Sequence, residues 1–571
     1  MFTTHFGHYM PLTWVTCGLD YVLWGMNPAG YHASSLFYHA LAAVLLFFFL
    51  DGLLRRAVPD AAPWAAVAGA LFFSIHPLRV ESVAWITERR DLVSGCFFLL
   101  SLIAYLKSTD GPARWKWIAL SCAAFAGSIL SKAMGMTLPL VLLLLDVWPL
   151  RRFGKAALIE KIPFFVLSAV AVALTSWAQT FAEAIYTTAE YPPIQSLAQP
   201  GYRVSFYALK TLLPFGLSPL YFYRPDLGLP HVAGWTALVA ITALVLIRRK
   251  QAPALAVAWL AFGLLIAPVS GLKQAGPHAV ADRYTYLACL PFAALFAAAI
   301  ALPRDPKLRN GVVLMAAVLL SMLAAISVRQ CAYWKDSVAI WDRAIAIEPD
   351  VYFSWQKRGA AKVERSQWKE AEADFNRAVE LNPRFPDSYS GRAQARSKTG
   401  DLTGAVRDFT RVLELRPGSA ATHFNRGMAF LRLGRPAGAL ADFNRALELR
   451  PDDADALAQR GVARSLQGDP DGGLADLGEA VKRKGDAGTL LLRATVRGMK
   501  GDFKGVADDC TQAIAINPAA PDAYFRRGLA LMELGDKAAA AGDFRQVLER
   551  APPNSPLHGQ AGAMLKIASQ R

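Results

Sequence analysis

The 571-residue chain is 54% apolar and only 19% charged, with a mean hydropathy of +0.26. That composition excludes a disordered chain, a collagen and a wholly water-soluble enzyme. The formal charge of +16 does not point to nucleic acid, because no basic stripe with interleaved aromatics occurs. Residues 1–330 hold 25 Lys and Arg with 14 Asp and Glu, and residues 331–571 hold 36 with 31. The first part is too apolar for a soluble domain and the second has ordinary soluble composition. The expected fold is therefore all-α, a polytopic helical membrane domain (1–330) followed by a soluble helical repeat domain. The six cysteines (Cys17, Cys96, Cys122, Cys289, Cys331, Cys510) share no C-x-x-C spacing, so neither a zinc site nor a disulfide framework is indicated.

Apolar runs near 31–53, 62–78, 91–107, 115–131, 136–150, 161–180, 233–248, 253–269, 284–302 and 311–329 predict about ten transmembrane helices. The stretch 202–220 is apolar but broken by Lys210, Pro214 and Pro219, and reads as an interfacial or re-entrant helix. Basic clusters such as Arg55-Arg56, Arg151-Arg152 and Arg248-Arg249-Lys250 occupy alternate loops and place those loops in the cytoplasm. Loops 77–91, 131–136, 181–232 and 269–283 then lie outside, as does the carboxy-terminal part. Residues 1–30 also fall outside, yet no signal peptide precedes them. An upstream helix missing from the sequence is expected; translocation of the short amino terminus with the first helix is the alternative.

Ionisable groups beside the apolar zone are costly and therefore informative. Near the amino terminus stand Asp20, Trp14, His32 and His39. The segment from His76 to Asp91 is the densest cluster. If it is helical after Pro77, Glu81, Trp85 and Glu88 share one face, with Arg89 beside it. Carboxylates and guanidinia around one aromatic suit an anionic amphiphile; mutually paired loop charges are the plainer alternative. A further cluster is Lys273, His278, Asp282, Arg283, Tyr284 and Tyr286. Lys132 and Lys210 read as snorkelling cations at the outer boundary. No spacing here demands a metal, and no cofactor is indicated.

In the soluble part, prolines at 349, 383, 417 and 451 fall 34 residues apart, and Pro518 and Pro552 resume the series. Ala371/Phe375, Ala405/Phe409, Ala439/Phe443 and Ala540/Phe544 repeat in phase. Gly359, Gly427, Gly461 and Gly528 mark a tight packing point. This is the tetratricopeptide (TPR) signature: a half repeat and six repeats over 331–555, with a capping helix at 556–571. Such α-solenoids present a groove for extended peptides or partner helices; a rigid spacer or dimer surface is the other reading. Gly473, Leu477 and Gly485 in repeat four, and Val506 and Cys510 in repeat five, depart from the pattern, and a bend is expected there.

The segment His76-Pro77-Leu78-x-Val80-Glu81-Ser82-Val83-Ala84-Trp85-Ile86-Thr87-Glu88-Arg89, together with Ala281-Asp282-Arg283-Tyr284-Thr285-Tyr286-Leu287, resembles the transmembrane-and-TPR O-mannosyltransferase (TMTC-like) family. Pro11-Leu12-Thr13-Trp14, Leu19-Asp20-Tyr21 and Asn27-Pro28-x-Gly30-Tyr31-His32 resemble that family's first outer loop and second helix. The resemblance implies a GT-C glycosyltransferase fold that moves a sugar, typically mannose, from a polyprenyl phosphate to protein Ser/Thr hydroxyls. It also implies an acidic motif after a first transmembrane helix, and this chain begins downstream of that point. The catalytic carboxylate is therefore unassigned, with Asp20 the nearest acid.

On that reading Arg89 and Arg283 contact the donor phosphate, while Glu81, Glu88, Asp282, His76 and Trp85 complete the substrate site. The lipid-linked sugar and an acceptor protein in the TPR groove are the expected partners. A bacterial inner membrane with the repeats in the periplasm is the expected location. A non-catalytic membrane-anchored TPR scaffold for envelope proteins is the rival reading.

Overall fold

The computed structural model describes residues 10–58, 63–181, 191–274, 276 and 278–570. The outer placement of residues 1–30 and of loop 181–232 thus falls partly outside the described residues, at 1–9 and 182–190. The chain forms two compact units, Met1–Asp350 and Val351–Arg571. Both are helical, as the composition and periodicity predict.

The first unit opens with α1 (Pro11–Trp24), α2 (Pro28–Ala57), α3 (Pro63–Ser74), α4 (Val80–Ala84), α5 (Arg89–Lys107) and α6 (Arg114–Ser131). It continues with α7 (Leu138–Val147), α8 (Lys155–Phe181), α9 (Pro193–Leu212) and the short strand β1 (Tyr221–Phe222). Then follow α10 (Leu229–Ile247), α11 (Pro253–Ile266), β2 (His278–Val280), α12 (Thr285–Ala288), α13 (Leu290–Ala301), α14 (Pro306–Ala332) and α15 (Ser337–Ile347). Many starts carry proline in the first turn, where its missing N–H costs nothing and its φ is already helical. Asn27 caps α2 by accepting from Ala29 N at 3.1 Å, and Asp305 caps α14 by accepting from Lys307 N at 2.7 Å.

Among the described residues, α2, α8 (over Lys155–Ala178), α10 and α14 are long and apolar enough to cross a membrane. A fifth span results if Asp282–Ala288 and Leu290–Ala301, bent by 56°, count as one. Other apolar runs form shorter helices, Pro63–Ser74, Ala133–Val147 and Pro253–Val269. The core of the unit gathers Leu46, Leu50, Phe73, Phe98, Leu102, Phe262, Ala293 and Ala297. Gly69 lets α3 approach its neighbours, since a Cβ there would stand 2.7 Å from the Leu50 side chain and 2.8 Å from the Ala293 carbonyl. Helices α5 and α6 are stitched by serine pairs, Ser94–Ser128 and Ser101–Ser121, each 2.9 Å between hydroxyls. Small residues and interhelical hydroxyl bonds replace a hydrophobic driving force in lipid.

Helix α9 is inverted in its first half, while its second half buries Val204, Tyr207 and Ala208. It exposes Ile194, Leu197, Leu209 and Leu212 and buries Gln195, Gln199 and Arg203. Arg203 donates to Gln199 Oε1 at 3.1 Å and to Gln274 Oε1 at 2.6 Å. Apolar side chains outward and amides inward suit a helix that meets lipid rather than water.

Near the carboxyl end of α5 Arg152, read from the sequence as a topological marker, joins Arg114 and Lys161 in an ion network around buried Asp146 and Glu160. Lys161 and Arg152 both pair with Asp146, Arg152 and Arg114 pair with Glu160, and Tyr105 donates to Asp146 at 2.5 Å. Strands β1 and β2 pair antiparallel, with Tyr221 opposite Val280 and Phe222 opposite His278. The half repeat 333–349 is held within this unit. Arg343 donates to Leu217 O at 3.0 Å, Phe222 N donates to Glu348 at 3.4 Å, and Asp350 pairs with Arg224 at 2.8 Å.

The second unit alternates helices from α16 (Tyr352–Glu364) to α28 (Pro556–Ala568). Its glycines explain the repeat pattern. A Cβ on Gly427 or Gly528 would stand 2.8 Å from the ring of Phe443 or Phe544, so each glycine admits the aromatic of the paired helix. In repeat four, where Leu477 replaces the aromatic, a Cβ on Gly461 would meet the Gly473 carbonyl at 2.7 Å, so the helices approach backbone to backbone. Asp401, Asp453, Asp469, Asp502 and Asp536 each cap a helix start.

A feature the sequence reading missed is an arginine–aspartate pair sixteen residues apart in every repeat. The pairs are Arg358–Asp374, Arg392–Asp408, Arg426–Asp442, Arg460–Asp476, Arg493–Asp509 and Arg527–Asp543, at 2.5–2.7 Å, with every aspartate buried. Four of these arginines also reach the preceding repeat, at Asn376, Thr410, Asn444 and Thr511. The guanidinium fork thus ties three helices at once.

Candidate active site

The His76–Asp91 segment is not one helix, and this corrects the expected shared face. Pro77–Arg79 form a 3-10 turn, α4 lasts five residues, and Trp85 is extended at φ −88°, ψ 106° before a second 3-10 turn, Ile86–Glu88. Side-chain spacing along a continuous helix therefore does not bring Glu81 and Glu88 together. Arg283 does. Its backbone N–H donates to Glu81 at 2.9 Å, its guanidinium pairs with Glu81, and its Nε lies 3.3 Å from Glu88. The guanidinium also lies over the Trp85 ring, 5.2 Å from its centroid. Asp282, next to Arg283 in the chain, accepts from the Tyr221 hydroxyl at 3.1 Å. Glu81, Glu88, Asp282 and Arg283 are all nearly sealed from solvent.

Two of the predicted residues go elsewhere. Arg89 pairs with Asp20, donates to Tyr31 O at 2.7 Å and reaches Ser35, so it joins α1 and α2 to the start of α5. The two arginines expected to share a phosphate are thus held by different carboxylates. His76 caps the first turn through its Nδ1, and its Nε2 bonds Thr211 O at 3.0 Å.

Lys132 is not a snorkelling cation. It is 9% exposed and pairs with Asp91 at 2.6 Å and Glu88 at 3.3 Å. Its position after α6 places it against the first turn of α5, where two carboxylates three residues apart need a counter-charge. That acid spacing was the available signal. Arg90 completes the set by pairing with Glu88. His39 is hydrogen-bonded, to the Tyr286 hydroxyl at 2.9 Å and to Ser74 O at 3.0 Å.

The environments push Glu81 and Glu88 apart. Burial raises the Glu81 carboxyl above its ordinary value, against the pull of Arg283. Burial pushes Glu88 up too, but Lys132, Arg283 and Arg90 together overcome it and hold that carboxyl well below the usual range. Adjacent carboxylates separated in this way can divide proton-carrying and permanently ionised roles. His278, on β2, is kept neutral by burial and by the charge of Arg283, with its pKa lowered to about 3. Among the described residues no cluster of three or more His, Cys, Asp or Glu is arranged to hold a metal.

Away from the charges, an apolar groove of about 320 Å³ runs between α7, α9, α10 and α11, lined by Leu144, Val204, Leu238, Trp259, Leu260 and Leu264.

Comparison with known proteins adds a family to this geometry. A tetratricopeptide repeat family matches residues 357–420, 390–454, 424–489 and 501–556. The chain is 37% identical over 152 residues to protein O-mannosyl-transferase tmtc2 of Xenopus laevis, covering 25% of this chain and 18% of that protein. It is 30% identical over 168 residues to protein O-mannosyl-transferase TMTC4 of Homo sapiens, covering 27% and 23%. The matches therefore span about a fifth of the length of these curated relatives. A solved tetratricopeptide repeat protein from Parabacteroides merdae aligns with 44% of the chain and 95% of its own, at 16% identity and a TM-score of 0.35. The chain is thus similar to TMTC protein O-mannosyl-transferases over about a quarter of its length, carries tetratricopeptide repeats in its carboxy-terminal part, and has helices long and apolar enough to cross a membrane in its first unit.

Proposed function

We propose that the chain transfers a sugar, mannose by analogy with the names of its relatives, from a polyprenyl phosphate to Ser/Thr hydroxyls of an acceptor protein. The observation that carries this is the meeting of two distant motifs in one buried cluster, Glu81 and Glu88 with Asp282 and Arg283. In an inverting transfer a carboxylate takes the acceptor proton, the hydroxyl oxygen attacks the anomeric carbon, and the lipid phosphate leaves with the bonding pair. Glu81, with its raised pKa, suits the proton-accepting role, and Glu88 keeps Arg283 and Lys132 in place. Arg283 is the proposed cation for the leaving phosphate, while Arg89, committed to Asp20, Tyr31 O and Ser35, braces α1 and α2 against the start of α5. Asp282 and Trp85 shape the surrounding polar wall, His76 braces the turn before α4 against Thr211, and Asp20 holds Arg89. The isoprenoid tail lies along the lipid-facing apolar groove. The repeats hold the acceptor near the membrane and raise its effective concentration. The setting is a bacterial inner membrane with repeats and charge cluster on the periplasmic side.

The test is sugar transfer from a radiolabelled polyprenyl-phosphate sugar in membranes carrying the wild-type chain or Arg283→Ala. Incorporation should fall by at least a hundredfold in the variant. Undiminished incorporation removes the assignment. The closed pairing of Arg89, Arg283 and Lys132 with carboxylates favours a second reading, a non-catalytic anchored scaffold, under which neither chain incorporates sugar.

A further inference from the structure

Four cations of the charge clusters around α4 and the start of α5 are neutralised by carboxylates. Arg89 has Asp20, Arg90 has Glu88, Lys132 has Glu88 and Asp91, and Arg283 has Glu81 and Glu88. Arg79 is different. It is 2% exposed, and no carboxylate among the described residues forms an ion pair with it. Its Nη2 donates to Thr285 Oγ1 at 2.5 Å and to Cys289 Sγ at 3.2 Å. Its Nε and Nη1 are buried without any hydrogen-bond partner. The rings of Phe73 and Tyr286 each stand 5.3 Å from the guanidinium carbon. Aromatic faces soften the charge but accept no hydrogen bond in the plane of the fork.

A sealed guanidinium with two unmet donors is unfavourable unless an anion completes it. Arg79 sits two residues before Glu81 and bonds Thr285, two residues after Arg283. It is therefore anchored to both motifs that form the charge cluster. Planar N–H donors recognise phosphoryl oxygens well, and a carboxylate at this point would abolish the need for one.

We propose that Arg79 is a phosphoryl-oxyanion site, a binding residue whose Nε and Nη1 donate to a phosphate or phosphate monoester. The inference rests on the transferase reading only in naming the lipid-linked donor as the natural source; the site itself stands on the unmet donors. Cys289 provides the sharpest probe, because its sulfur already contacts Nη2. Cys289→Asp supplies the missing carboxylate from within.

The experiment follows thermal unfolding of the purified full chain in detergent, with farnesyl phosphate or inorganic phosphate added. Wild type is stabilised by farnesyl phosphate, whereas Arg79→Gln and Cys289→Asp bind it at least tenfold more weakly. Cys289→Asp alone unfolds at or above the wild-type temperature, because the guanidinium gains a partner. Equal stabilisation by inorganic phosphate at the same concentration supports the site and assigns it to free phosphate; a response to farnesyl phosphate alone assigns it to the lipid-linked form.

A Cys289→Asp chain that unfolds early, or that binds farnesyl phosphate within twofold of wild type, overturns the inference. So does a wild-type chain that binds neither probe. The two proposals fail separately. Binding lost in Arg283→Ala but kept in both Arg79→Gln and Cys289→Asp removes this site and leaves the transferase reading standing. Arg79-dependent binding without any sugar transfer does the reverse.

Discussion

Arg283 grips Glu81, 202 positions earlier in the chain, twice: through its backbone N–H and through its guanidinium. Because one contact is made by the main chain, the turn containing Asp282 and Arg283 is fixed against α4 whatever the rotamer of the arginine. The two motifs thus behave as one structural object. Breaking a buried pair leaves an uncompensated charge, at a cost of about 3–5 kcal/mol. Glu81→Ala and Arg283→Ala should each destabilise the first unit by that order. The double variant should lose much less than the sum, since neither charge is then stranded. Denaturant or thermal unfolding of the four chains in detergent measures the coupling.

Lys132 gives the clearest contrast between alternatives. A snorkelling lysine would lose less than about 0.5 kcal/mol on substitution by methionine. A lysine bridging Glu88 and Asp91 should lose about 3–5 kcal/mol. Comparing the unfolding of Lys132→Met with wild type decides between them, and Lys132→Arg should restore most of the difference.

The two glutamates carry opposite pH signatures. Glu81 binds its proton more tightly folded than unfolded, so its contribution to stability is full below the ordinary value of 4.5 and is lost as pH rises above it. Glu88 is the reverse: its contribution is present above 4.5 and is lost as pH falls through its depressed folded value. Glu81→Gln should therefore flatten the decline in unfolding temperature above pH 4.5. Glu88→Gln should flatten the acid limb instead. A pH series of melting curves checks both slopes.

Trp334, just before α15, lies tilted on Trp85 with ring centroids 6.3 Å apart, and Trp85 in turn lies over Arg283. Aromatic pairs of this kind contribute about 0.5–1.5 kcal/mol beyond area. Trp334→Ala should lower sugar transfer by about three- to tenfold through looser placement of Arg283, and Trp334→Phe should recover part of it. Initial rates in membranes, at matched expression, provide the measure.

In the repeat array, Arg426 holds Asp442 at 2.7 Å and Thr410 at 3.0 Å. Arg426→Ala should leave the buried Asp442 with only His423, 3.0 Å away, and destabilise its neighbourhood by about 2–3 kcal/mol. Hydrogen exchange should rise over residues 402–449 while distant repeats stay protected, because stability in a solenoid is mostly local.

The repeats were legible in the sequence because each proline, glycine and aromatic acts within one 34-residue unit. The helical character of the first unit was legible for the same local reason. The pairing of the His76–Glu88 and Asp282–Tyr284 segments could be suspected from their charge and from resemblance, but its geometry could not. Trp85 breaks the helix by adopting an extended conformation, and no residue-spacing rule foresees that.

What the sequence determined alone is what period and composition control: an apolar helical part, a repeat array, and charge placed where lipid makes charge costly. Only the tertiary structure decided which charges meet. Glu81 found Arg283, Lys132 found Glu88 and Asp91, Arg89 found Asp20, and Arg79 found no carboxylate among the described residues. The reason is physical: ion pairing in a low-dielectric interior depends on ångström distances between segments far apart in the chain, and local periodicity carries no information about those distances.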